Sequence, residues 1–276
     1  MTRPEVVQGT DRPVLKEPVW TWEIPLYFYV GGLAGASAGV GALAEGPLAR
    51  RAWALALAGS VASPALLIMD LGRPARFLNM LRMFKVTSPM SVGSWVLVGF
   101  GTTTAPAAAH AFVGLPRGGR LAQVASALLG LPLAAYTAAL IANTSIPVWH
   151  QARHALPFLF VSGAAASAGA ALTALSPVAD AAPARRLAVG GALAELAVAQ
   201  LMERRLDAHG AGEPYHELST LKRAAFGLTA AGAALIAARG SRSRRAAVAG
   251  GLLVSAGALA ERWTVFRAGT HSARAT

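Results

Sequence analysis

The residues of this chain that could do chemistry are few, and they fall in short stretches set between apolar runs. The first stretch is MDLGRPARFLNMLRMFKVTSPMSVGSW, residues 69–95, in which Asp70 is followed by Arg73, Arg76, Arg82 and Lys85. An acid at the end of an apolar run can exchange protons. Cations beside it can steady negative charge developing on a bound group, or meet an acidic surface. The second stretch is WTWEIPLYFYVGGLAGASAG, residues 20–39, where Glu23 sits among Trp20, Trp22, Tyr27 and Tyr29. The third, YTAALIANTSIPVWHQARHALPF, residues 136–158, carries Tyr136 inside an apolar run, Asn143, Thr144 and Ser145 at its mouth, and Trp149 beyond Pro147. A lone acid, Glu195, stands in the middle of LAVGGALAELAVAQLM, residues 187–202.

Each feature also has an ordinary explanation. Aromatic residues collect at membrane interfaces as a girdle, which covers Trp20, Trp22, Tyr27 and Tyr29. Asp70 can pair with Arg73 or Arg76 in a surface salt bridge. A buried tyrosine hydroxyl such as that of Tyr136 needs a hydrogen-bond partner, and a neighbouring helix carbonyl would serve as well as a ligand. An unpaired carboxylate at the position of Glu195 would be costly, so it is expected to be protonated, paired or beside water.

The elements that position these groups are helices. The 276 residues are 54% hydrophobic and only 14% charged, against about 25% charged in a soluble domain. Alanine and glycine are abundant, and small residues let membrane helices approach closely. Apolar runs at about 25–43, 52–69, 91–115, 121–142, 155–175, 187–202, 224–238 and 246–260 predict an all-α integral membrane protein of about eight spanning helices. The last three runs are short. Pro106 and Pro132 lie inside the third and fourth runs and are expected to kink them. Residues 76–84 suit a short amphipathic helix in the interface. The expected organisation is a polar N-terminal segment over residues 1–24, a transmembrane domain over 25–266 and a polar tail over 267–276. The N-terminal segment lacks the pattern of a signal peptide, so the first spanning helix is expected to direct insertion.

Composition excludes several functions. Without cysteine the chain cannot hold an iron–sulfur cluster through thiolates or attach a c-type haem. The six histidines offer no pair on facing helices at matching depth, so neither haem nor a metal of its own is expected. The net charge of +12 fits basic loops at lipid headgroups rather than nucleic-acid binding. The distribution of arginines and lysines does not select an orientation in the membrane.

The three stretches quoted first, the third extended to residue 172, resemble the NrfD/PsrC family, the membrane subunits of polysulfide-reductase-like complexes. The run DLGRPxRF…SPMSxGSW is the most specific part, and the resemblance covers about residues 20–172. It implies an eight-helix subunit in two four-helix bundles that binds menaquinone or ubiquinone in the plasma (inner) membrane of a prokaryote. It further implies electron exchange with a four-cluster ferredoxin-like iron–sulfur subunit, and a molybdopterin catalytic subunit beyond, as in anaerobic respiration. Carried onto this chain, the quinone pocket would use Glu23 and Tyr27, Asp70 with Arg73, and Tyr136, with Trp22 and Asn143 nearby. Tyr27 stands where some relatives have histidine. Arg76, Arg82 and Trp149 would meet the partner, and Glu195 would belong to a proton path.

Two other readings stay open at this stage. A proton-coupled transporter would use Glu195 as its coupling residue, although transporters commonly show paired repeats and none is evident here. A passive membrane anchor would use the polar stretches for docking alone.

Overall fold

The computed structural model describes residues 18–114 and 118–274. Among these the chain order is α1 (Glu23–Leu43), α2 (Gly46–Leu71), α3 (Pro74–Met80), α4 (Pro89–Val113), α5 (Gly119–Ala142), α6 (Pro147–Gln151), α7 (Leu156–Leu175), α8 (Ala182–Ala208), α9 (Glu213–Glu217), α10 (Ser219–Arg239) and α11 (Arg244–Arg274), with no strand. Proline starts many of them. Pro47, Pro74, Pro89, Pro147, Pro157, Pro183 and Pro214 occupy a first or second helical position, where their missing N–H has no intrahelical role. Gly72 ends α2 and Gly114 ends α4 with φ of 69° and 70°, a left-handed cap that side chains rarely adopt.

The long helices pack in two groups of four. In the first, α1 packs on α2 and α5, and α4 packs on α5 and α2. In the second, α7 packs on α8 and α11, and α10 packs on the same two helices. Contacts of α1 with α7 and α11, and of α5 with α7, join the groups. Small residues make this closeness possible. At the α1–α5 crossing, a Cβ added to Gly35 or Gly130 would run into the backbone of the other. The core facing inward is largely alanine, as at Ala34, Ala38, Ala56, Ala138, Ala166 and Ala188.

Among the described residues six helices are long and apolar enough to cross a membrane: α1, α2, α4, α5, α7 and α10. Large apolar side chains such as Val61, Leu128, Leu131, Phe158, Val161 and Leu252 point outward from the bundles, as lipid contact requires. The remaining long helices, α8 and α11, have 27 and 31 residues. At 1.5 Å per residue they extend roughly 40 and 46 Å, but charged residues interrupt their apolar runs.

Two expectations need revision. The residues from 267, expected as a polar tail, are helical through Arg274, because α11 continues past the end of its alanine-rich stretch and buries Ala268, Gly269, Ser272 and Ala273. The interfacial helix expected over 76–84 is shorter. α3 ends at Met80, and Arg82 through Phe84 lie in the connection to α4. Most of the expected N-terminal segment lies outside the described residues. Pro106 and Pro132 are inside α4 and α5 as anticipated, and Pro64 lies inside α2 as well.

The end of the bundles away from the termini is tied by arginines. Arg120 donates to the Ala42 carbonyl at 3.1 Å, and Arg244 donates to the carbonyls of Thr173 and Ser176 at 3.1 and 3.0 Å. These arginines satisfy carbonyls that helix ends leave without partners.

Candidate functional site

The other end of the first group holds a pocket between α1, α2, α4 and α5. Its walls include Trp20, Tyr27, Asp70, Met80, Met90, Ser94 and Tyr136. Each polar group arrives there for a local reason. Asp70 is the penultimate residue of α2, partly buried, and its Oδ1 accepts the backbone N–H of Thr21 at 3.2 Å. The Thr21 hydroxyl donates to Oε2 of Glu23, so one threonine bridges the two acids.

Tyr27 points inward from α1 and is fully buried, with its hydroxyl lacking a hydrogen-bond partner among the described residues. Its ring meets that of Tyr136 on α5 edge-on, with centroids 6.4 Å apart. Tyr136 fits because residue 93 on α4 is glycine, where any Cβ would collide with the tyrosine ring.

The SPMSVGSW run builds the wall opposite Asp70. Ser88 caps α4 by accepting the N–H of Ser91 at 3.4 Å. Ser91 Oγ donates to the Met83 carbonyl and accepts the Lys85 N–H, both at 3.0 Å. Trp95 Nε1 donates to the same carbonyl at 3.3 Å, and its ring meets Phe84 edge-on. The serines and tryptophan therefore hold the loop from Met83 to Ser88, and Gly93 clears the space behind it.

The enclosed pocket volume is about 60 Å³, below the roughly 300 Å³ of an ordinary ligand pocket. Met80 and Met90 separate it from a second cavity of about 210 Å³ lined by Met83, Lys85, Ser88 and Ser91. Unbranched methionines are the side chains best suited to swing aside.

Of the residues singled out from the sequence, Tyr27, Asp70 and Tyr136 share this pocket, and Glu23 joins them through Thr21. Trp22 is half exposed and Asn143 is exposed at the end of α5, and neither lines the pocket. Arg73, Arg76 and Arg82 are exposed on the same end of the bundle, with Arg76 donating to the Leu71 carbonyl at 2.9 Å. Among the described residues Asp70 forms no ion pair, so its pairing with Arg73 or Arg76 is not found.

Trp149 is a clear correction. It is 0% exposed, stacked on Trp20 at 6.0 Å, and donates from Nε1 to the Val265 carbonyl of α11 at 2.8 Å. A residue enclosed in this way fastens α11 to the first group and has no face for a partner. Gly269 clears its place, since a Cβ there would collide with the indole.

Glu195 lies in the second group, 2% exposed, and pairs with Arg262 of α11 at 3.4 Å. The sequence reading missed Arg262 and its neighbour Glu261, as well as Met80, Met90 and Ser94. The buried positions 258, 262, 265, 269 and 272 repeat at helical spacing. That pattern was the available signal for Arg262.

The model of the family described as polysulfide reductase, NrfD_2, matches residues 14–275. The chain belongs to this NrfD-type family. No curated protein matches it. The family match runs through α11, beyond the stretch that carries the resemblance by motif, so the second group of helices is part of the NrfD-type unit. With six apolar helices of spanning length, this NrfD-type chain is a multi-pass membrane protein.

Proposed function

We propose that this NrfD-type chain is the quinone-binding membrane subunit of an oxidoreductase complex, with its site between α1, α2, α4 and α5. The observation that carries the reading is the convergence of one carboxylate, Asp70, and two tyrosines, Tyr27 and Tyr136, on a single pocket at the end of the bundle that exposes Arg73, Arg76 and Arg82. The unpartnered Tyr27 hydroxyl supports it, because a buried donor without a partner is costly unless something else accepts from it. The enclosed volume is small for a quinone head, and outward movement of Met80 and Met90 would join it to the neighbouring cavity.

A bound menaquinone or ubiquinone would supply two-electron, two-proton redox chemistry. Tyr27 and Tyr136 would hold it by donating to its carbonyl oxygens. Asp70 would carry protons between those oxygens and the exterior, with Thr21 fixing its carboxylate and Glu23 beside it at the surface. Trp20 and the methionines would exclude water. The exposed arginines would raise the local positive potential and attract an acidic partner surface.

That partner is a four-cluster ferredoxin-like iron–sulfur subunit, with a molybdopterin catalytic subunit behind it, in the plasma membrane of a prokaryote. The chain itself has no cysteine, so the electrons must come from or go to another protein. We place all eight long helices across the membrane. α8 and α11 lie against α7 and α10, which have spanning length, and Glu195 and Arg262 face each other inside the bundle rather than lipid. Solvent extraction of the purified complex tests the reading. Stoichiometric quinone, lost when Tyr27 and Tyr136 are both replaced by phenylalanine, is expected. A complex that turns over quinone normally with both hydroxyls gone would place the site elsewhere.

A further inference from the structure

The second helical group encloses a polar centre that the quinone pocket does not use. Glu195 of α8 and Glu261 and Arg262 of α11 are 2%, 7% and 2% exposed. Arg262 is fully engaged. Nη1 faces Glu195 Oε1 at 3.4 Å, Nη2 donates to the Phe160 carbonyl at 3.0 Å, and the guanidinium lies 4.2 Å over the Phe160 ring. Gly163 leaves room for this pair, because a Cβ there would meet both Glu195 and Arg262.

Two observations point past a structural ion pair. Glu195 Oε2 is buried without a hydrogen-bond partner among the described residues. Glu195 and Glu261 also line a cavity of about 250 Å³ between α8, α10 and α11, which is roomy enough for water. Farther along that cavity, Lys222 of α10 pairs with Glu203 of α8 at 2.8 Å, each about a quarter exposed, and Arg223 completes the outer lining. Two more ionisable groups face the centre among the described residues, Tyr29 of α1 and the buried Tyr215 of α9, while α7 contributes carbonyls and Ser167. The interior therefore holds two carboxyl groups for one guanidinium, and a second uncompensated carboxylate there is strongly disfavoured.

We propose that Glu195 and Glu261 form a proton-exchange site that shares a single proton, filled from solvent through the α8–α10–α11 cavity with the Lys222–Glu203 pair at its mouth. On filling, a proton leaves water and an O–H bond forms on one carboxylate, taking the three-residue centre from a net charge of minus one to zero. Emptying reverses the step, and no electrons move. The site stands independently of the quinone reading.

Infrared difference spectroscopy on the full chain in lipid, without added quinone, tests it. Wild type is expected to show a buried carboxylic-acid C=O band that shifts in D2O. Either Glu195→Gln or Glu261→Gln should abolish that band, because the one carboxylate left is balanced by Arg262. Ala199→Phe, which fills the cavity, should keep the band and slow its deuterium shift at least tenfold. A band absent from wild type, or lost in only one of the two glutamine variants, or retained in both, overturns the shared proton. An unchanged exchange rate in folded Ala199→Phe overturns the cavity as its route.

Discussion

The backbone N–H of Thr21 donates to Asp70 Oδ1 at 3.2 Å, tying the segment before α1 to the last turn of α2. An asparagine at position 70 can accept that same bond but cannot carry a proton. Asp70→Asn is therefore expected to leave the complex assembled while lowering quinone-linked turnover at least tenfold. Turnover measured on purified mutant complex decides it, and a rate equal to wild type would remove Asp70 from the chemistry.

Tyr27→Phe separates ligand binding from folding. Its hydroxyl is buried with no partner among the described residues, a situation that costs about 1–3 kcal/mol. Removing it should leave the thermal midpoint unchanged or higher while weakening quinone binding. A lowered midpoint with unchanged quinone affinity would mean that the hydroxyl serves the fold.

Tyr136→Phe should raise the apparent KM for quinone roughly two- to tenfold, the range expected for one lost hydrogen bond of about 0.5–1.5 kcal/mol. Steady-state kinetics with a soluble quinone analogue gives the answer, and an unaltered KM would assign that hydroxyl to the protein.

Gly93→Ala attacks the same tyrosine from behind. The new methyl group must displace the Tyr136 ring, and overpacking of this kind costs about 1–3 kcal/mol. The thermal midpoint should fall and recover in Gly93→Ala combined with Tyr136→Leu, while quinone-linked turnover at low quinone concentration stays reduced in both variants. No effect of the single substitution would show that the ring can move freely.

Trp149→Phe should lower the thermal midpoint of the chain, by an amount equivalent to about 1–3 kcal/mol, through the lost bond to Val265 and the smaller ring. Retention of the iron–sulfur partner should be unchanged. Loss of the partner at unchanged stability would return Trp149 to a docking role.

What could be read from the sequence follows a physical line. Asp70, Tyr27 and Tyr136 were legible because polar groups in apolar runs are expensive, so their positions carry information even without partners. Trp149 misled because an aromatic beside Pro147 and His150 has the composition of an interfacial belt, and only packing tells an inward indole from an outward one. Glu195 was legible as a problem but its solution was not. Arg262 lies 67 residues away, just past the end of the last apolar run at residue 260. The pocket walls Met80 and Met90 gave no signal, since methionine is unremarkable in any apolar segment.

Tyr27 and Tyr29 are neighbours but one on α1, so their side chains leave the helix roughly 200° apart. One enters the pocket beside Asp70. The other faces Ser167 and Ser255 and feels the charges of Arg262 and Glu195. α1 is thus a party wall, with a tyrosine set into each side. Its axial rotation is held by the backbone contact between Gly35 and Gly130, where neither helix can yield. Whatever turns that wall toward one chamber turns it by the same angle away from the other.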